Sequence, residues 1–345
     1  MGLLDNVIDS LKGFTDTIFY KENSDLQNRY NALKQLNEEY PDNEDLLSEL
    51  YIVKKGLDGE NEIAYQLKKA HIGMYVLRDI KVEYEDLTAQ IDYIIITPVY
   101  DYFVECKNLI GNITVTDKGD FIREFTVNGK RIKKGMYSPL RQVEAQREVI
   151  RKIWETRAST IQKIFASKNF DYYRRVLVVA ANQDTILNTN KAPKDMKYKI
   201  LRADSLVRQI EYDLKHKSDN DFVSSKKSME ETAQSYLNIA INENIDYYDY
   251  YKENFSLTSK NKNANNIPTK NSKDNSNDSL REILLKFRKN RATEMNIPAY
   301  YVFTNDELEK LLEIKPSTLD DLKNANILPS IKIKTHGQEI IDALK

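Results

Sequence analysis

The chain has 345 residues, 30% of them charged and 41% hydrophobic, with a formal net charge of −1. That length suggests two domains, or one with extensions, and the near-neutral balance excludes a globally basic nucleic-acid binder, so any basic surface must be local. Cys106 is the only cysteine, which excludes an internal disulfide and suits a reducing cytoplasm, the expected location; no apolar run approaches the length of a spanning helix, and MGLLDNVIDSLKGF lacks the basic start of a signal peptide.

Leu4, Val7, Ile8, Leu11, Phe14, Ile18 and Phe19 recur at helical spacing. They predict an amphipathic helix over 3–19 that packs on the body of the protein or on a second copy. Residues 25–38 and 43–55 read as two further helices, with Pro41 marking the turn and Asn43 placed as an N-cap. From Gly56 the texture changes. GLDGENEIAYQLKKA reads as a helix opening at a glycine-rich turn. MYVLRDIKV, QIDYIII and DYFVECK follow as strands, with TPVYD turning between the last two. NITVT and FIREFTV continue the pattern, and NGK makes a hairpin turn.

SPLRQVEAQREVIRKIW predicts a helix capped by Ser138 with Pro139 at its first position. RVLVVAA (175–181) is a continuous apolar run, suited to a strand covered on both faces. ILRADSLVRQIEYDL closes the region with a strand end and a capped helix. This order argues for the α/β class with a mixed sheet. Asn, Ser and Lys dominate residues 252–279, which predicts a disordered linker and suits an AT-rich bacterial genome. Helical periodicity returns over 280–345, as a small all-α module.

Asp92, Glu105 and Lys107 stand inside the strands that most need to stay dry. Alternation puts Glu105 and Lys107 on one face with Phe103, and Val104 and Cys106 on the other. The TPVYD turn pairs the strands antiparallel, so Asp92 comes near Glu105 at one end of the sheet. Two carboxylates held close raise each other's pKa. A divalent cation removes that cost, and Mg²⁺ commonly takes one or two carboxylates plus water and substrate phosphate, with Mn²⁺ as the alternative metal. Lys107 reaches the same pocket, where an ammonium can orient or help deprotonate a water, or stabilise charge at phosphorus. Glu60 opens a helix, where the dipole favours a carboxylate, and Gln142 lies in the first turn of the helix after the sheet. An ordinary charged strand end is the rival reading.

The set GLDGE (56–60), QIDYI (90–94), VECKN (104–108), GNI (111–113) and SPLRQ (138–142) resembles the nuclease-related domain, NERD, over about residues 54–180. That family is assigned to the restriction-endonuclease-like superfamily with a D…E-x-K core. The resemblance implies a restriction-endonuclease-like mixed sheet flanked by helices and a Mg²⁺-dependent nuclease. Asp92 and Glu105 would hold the metal with Glu60 assisting, Lys107 would position or activate water, and Gln142 would orient the site or the substrate. Cys106 faces away and is expected to be a buried structural thiol. Lys130, Arg131, Lys133 and Lys134, with Lys118 and Arg123 nearby, read as a phosphate-backbone clamp, or as a solvated hairpin with Asp117, Asp120 and Glu124 interspersed.

At the other end, L-x-x-F-R-x-x-R-A (284–292), IPAYYVF (297–303), NDELxxL (305–311), KPSTLDDL (315–322) and HGQEII (336–341) resemble the helicase-and-RNase-D C-terminal domain, HRDC. The resemblance implies a helical bundle that assists nucleic-acid binding or docks a protein. Lys286, Arg288, Lys289 and Arg291 would form its basic cluster, while Pro298, Tyr300, Tyr301 and Phe303 suit core and turn packing. NILP (326–329) replaces the family's glycine-rich turn, and Pro329 donates no amide to a phosphate.

The expected organisation is a helical N-terminal extension (1–53), an α/β nuclease domain (54–215), a helical segment (216–251), the linker (252–279) and the all-α module (280–345). The expected activity is hydrolysis of phosphodiester bonds, with DNA as substrate. Two alternatives stand beside it. One is a nucleic-acid-binding protein without catalysis, and the other is a scaffold that assembles as a homo-oligomer, or with a protein partner, through its N-terminal helices.

Overall fold

The computed structural model describes residues 14–85, 87–127, 129–157, 169–241, 245–255, 257, 275–295, 302–303, 305–325, 327–328 and 330–344. The chain divides into two units. One comprises the residues through Asn28 together with Val53–Asn244, and the other Arg29–Ile52 with Ile245–Lys345.

The first unit is built on a six-stranded sheet in the order β1-β2-β3-β4-β8-β10. Its strands are β1 (Thr17–Lys21), β2 (Met74–Tyr84), β3 (Leu87–Ile96), β4 (Asp101–Lys107), β8 (Arg174–Ala180) and β10 (Ile200–Arg202). β2, β3 and β4 form an antiparallel meander, whereas β1 runs parallel to β2, β8 to β4 and β10 to β8. The sheet is mixed, as the sequence predicts.

Both of its faces are dry. On one, Phe103, Ile94 and Val178 pack with Leu140, Val143 and Ile150 of helix α3 (Pro139–Arg157) and with Met229, Ala233 and Tyr236 of α6 (Lys226–Leu237). On the other, Tyr93, Val104 and Val179 pack with Ile63 and Leu67 of α2 (Glu44–Lys68) and Leu206 and Ile210 of α5 (Ala203–Lys215). Burial on both sides explains the near-continuous apolar reading of β3 and β8.

A smaller sheet in the order β7-β6-β5-β9 follows the central meander. β5 (Asn112–Val115), β6 (Phe121–Val127) and β7 (Lys130–Met136) are antiparallel, and β9 (Leu187–Asn188) joins β5 in parallel. The short helix α4 (Lys194–Lys197) precedes β10.

The second unit contains most of α1 (Asp25–Glu39) and the start of α2. It also holds α7 (Tyr247–Asn254), α8 (Asn275–Met295), α9 (Asn305–Ile314), α10 (Leu319–Asn324) and α11 (Ser330–Leu344). Leu284, Phe303, Leu308, Leu311, Leu322 and Ile340 form its core. Thr318 and Asp321 close a reciprocal capping box at α10.

Several expectations are corrected. The helix over 3–19 is not continuous: residues 1–13 lie outside the described set, and Thr17–Lys21 is an edge strand on β2. The glycine-rich turn at 56–59 does not exist, because α2 runs unbroken through it. Ser138 and Asn43 cap as expected, accepting from the backbone of Arg141 and Leu46. α5, however, starts at Ala203, and its N-cap residue Arg202 makes no side-chain capping hydrogen bond. Of the linker residues, 252–254 end α7 and 275–279 begin α8, while 258–274 lie outside the described residues. Pro298, Tyr300, Tyr301 and Pro329 also lie outside them.

Candidate active site

The charged residues gather at the carboxyl end of β4. The β3–β4 ladder ends at Tyr93 and Val104. Just beyond it, Asp92 Oδ2 accepts the backbone N–H of Cys106 at 2.7 Å, so a side chain takes over where a strand partner would stand. Glu105, 3% exposed, points to the α3 face. Its Oε1 accepts from Lys107 Nζ at 2.6 Å and its Oε2 from Gln146 Nε2 at 3.2 Å. Lys107 Nζ also donates to Gln142 Oε1 at 3.1 Å. Gln142 and Gln146 stand one turn apart on α3, so a single helix face presents both amides to β4.

Electrostatics follow from this crowding. Burial pushes the Asp92 carboxyl well above the usual range, and the charges of Glu105 and Glu60 push it further, while the Cys106 N–H and Lys107 pull it back. Burial opposes the charge on Lys107, but Glu105, with Asp92 and Cys106 adding to it, outweighs that cost and raises the ammonium's pKa. Burial also lifts the Cys106 thiol well above its usual value, with Asp92 and Glu60 adding to the effect. A thiol held protonated is a poor nucleophile. Cys106 is partly rather than fully buried and packs on the α2 face, as strand parity predicts.

Glu60 differs from its predicted setting. It lies within α2, not at a helix start. Its Oε2 accepts from Arg78 Nε at 2.8 Å and from Ser24 Oγ at 2.8 Å, and its backbone carbonyl accepts the Tyr93 hydroxyl at 2.6 Å. Burial holds the carboxyl above its ordinary range although Arg78 and Ser24 both lower it. The preceding Gly59 explains how α2 comes so close. A Cβ there would lie 2.5 Å from Asn108 Cβ and 3.1 Å from Cys106 Sγ, so only glycine lets the helix press on the end of β4.

Asp92 and Glu105 are hard oxygen donors in a site with excess negative charge, which fits a small divalent ion completed by water and phosphate. Among the described residues no three of His, Cys, Asp and Glu form a group able to hold a metal ion. Glu60, expected to assist, is engaged by Arg78 and Ser24.

The two basic clusters are not uniform either. Arg131 is ion-paired with Glu124 across the β6–β7 hairpin. In the second unit, Arg288 donates to the Phe303 carbonyl at 3.3 Å and burial lowers its pKa, while Arg291 pairs with Glu339 at 3.2 Å. Lys286 and Lys289 are exposed. The expected cluster of four on α8 is thus a pair of exposed lysines and two arginines engaged within the module.

Sequence reasoning missed Gln146, Arg78 and Ser24. Gln146 carried a signal, being four residues after Gln142 on a helix. Arg78 and Ser24 carried none, because they meet Glu60 only through the fold.

A mixed sheet sandwiched by helices, with Asp92, Glu105 and Lys107 at one strand end, defines a nuclease-like α/β domain. Residues 55–180 match the family model of the nuclease-related domain, and residues 277–344 match that of the HRDC domain. The chain thus carries a NERD domain and an HRDC domain. No curated protein and no solved structure matches it. Among the described residues, no helix is long and apolar enough to cross a membrane.

Proposed function

We propose that this protein is a divalent-metal-dependent nuclease acting on DNA, with its HRDC domain serving nucleic-acid binding or docking. The observation that carries the reading is the convergence of Asp92, Glu105, Lys107 and Gln142 on one strand end. Asp92 and Glu105 would hold Mg²⁺, or Mn²⁺ in its place. When bound, such an ion polarises a phosphoryl oxygen and makes a water more acidic. Lys107, already hydrogen-bonded to Glu105, stands where an ammonium can stabilise charge growing on phosphorus. Gln142 holds that ammonium from the other side and Gln146 holds the carboxylate, so both are positioning residues. Glu60 supports the site from behind, keeping Arg78 of β2 and Tyr93 of β3 in place.

A cleavage assay on DNA with Mg²⁺ or Mn²⁺ tests this. Wild type should cut, Asp92→Ala and Lys107→Ala should not, and calorimetric Mn²⁺ binding should disappear in Asp92→Ala. Equal signal from all three would mean a contaminant.

One observation favours a second reading, a nucleic-acid-binding protein without catalysis. Both Glu105 oxygens already have protein donors. Wild type that binds DNA but neither cleaves it nor takes up Mn²⁺ would establish that alternative.

A further inference from the structure

We propose that a nucleic-acid backbone lies along one face of the β6–β7 hairpin, held by Lys130 and Lys134, and is led from there toward the end of β4. The choice of ligand rests on the reading above.

The register pairs Arg123 with Lys134 and Phe125 with Ile132. Residues directly opposed in an antiparallel pair share a face. Alternation then puts Arg123, Phe125, Lys130, Ile132 and Lys134 on one face, and Glu124, Arg131 and Lys133 on the other. Charge segregates with them. The first face carries three cations and no carboxylate among its described β6 and β7 residues. On the second, Arg131 is neutralised by Glu124. The four-residue clamp of the sequence is thus split between two faces, and Glu124 offsets one of the two cations on the second.

The cationic face is also the one that meets the site. Ile113 and Val115 are opposite Arg123 and Phe121, so they lie on that same face. They are buried with Phe121 in the cluster that contains Leu140 and Val143 of α3, the helix bearing Gln142 and Gln146. Arg123 ties the hairpin back to the catalytic strand. Its Nε donates to the Ile110 carbonyl at 2.9 Å, a few residues beyond Lys107, and its guanidinium lies 4.5 Å from the Phe125 ring centroid. Arg123 is thereby an anchor. Lys134, 5.8 Å from the same ring, and Lys130 are exposed and can meet phosphate.

The test is binding of a mixed-sequence DNA duplex to the full chain without divalent metal, by fluorescence anisotropy across about 50 to 200 mM salt. Each lost phosphate contact lowers the log–log salt slope by about 0.9. K130A/K134A should therefore lower it by about two, which removes roughly tenfold of the salt sensitivity over that range. K130R/K134R should retain the slope, and R131A/K133A should leave it unchanged. Equal losses in the two alanine pairs, no loss in either, or a wild type that does not bind would overturn the proposal. Absence of cleavage by wild type with Mg²⁺ would sink the nuclease reading alone, because the face-specific slope change is read without turnover.

Discussion

The Glu60–Arg78 pair offers the sharpest quantitative test. Its side chains are 6% and 7% exposed, and Arg78 Nη2 is buried without a hydrogen-bond partner among the described residues. Arg78→Met leaves a buried carboxylate with the Ser24 hydroxyl as its remaining side-chain donor. Breaking a buried pair from one side costs about 3–5 kcal/mol. For a domain of this size each kcal/mol lowers Tm by about 2–4 °C, so a fall of roughly 6–20 °C is expected. Glu60→Met should cost a similar amount, by stranding the guanidinium. The double variant should not cost the sum. Burial already outweighs the attraction, as the raised Glu60 carboxyl indicates, and replacing a whole buried pair with apolar side chains is often neutral or stabilising. Urea denaturation followed through the fluorescence of Trp154, the only tryptophan, gives the three free energies. Arg78→Met within about 1 kcal/mol of wild type, or a double variant as costly as the two singles together, would refute this account of the site.

Gly59→Ala should lose about 1–3 kcal/mol despite alanine's better helix propensity, because the new Cβ meets Asn108 at 2.5 Å. Gly135→Ala, whose Cβ meets nothing within 4 Å, should change stability by less than about 0.5 kcal/mol, and similar urea midpoints for the two would contradict the packing argument. Asp221 accepts from Tyr100, Tyr172 and Tyr173 hydroxyls and the Ser218 N–H; burial raises its pKa, but these hydrogen bonds win and hold it below the ordinary 3.8. Its stabilisation is therefore present above that value and lost as pH falls through the lower, folded one. Asp221→Asn should be less stable at pH 7, with the gap to wild type closing in acid, and a gap independent of pH would count against the assignment.

The central meander was legible because its strands are bounded by turns and its charged residues break the apolar pattern. Parity alone placed Phe103, Glu105 and Lys107 on one face and Val104 and Cys106 on the other. What escaped was non-local. TIFYK continues the helical spacing of the preceding residues, and only a parallel partner more than fifty residues away makes it a strand. Gly56 and Gly59 read as a turn by local propensity, yet Gly59 serves a helix-to-strand contact. The basic hairpin looked like one patch until its register assigned alternate residues to opposite sides.

The hydrogen bond from Lys107 to Glu105 ties the states of the two groups together. While the ammonium rests on Oε1, that oxygen is occupied and the cation is parked. Under the proposed nuclease reading, a phosphate that drew Lys107 away would, by the same rotation, bare an anionic oxygen and bring a positive charge to the incoming strand. Arrival of the substrate would then unlock the very atom needed to receive the ion, while Gln146 keeps the rest of the carboxylate from following.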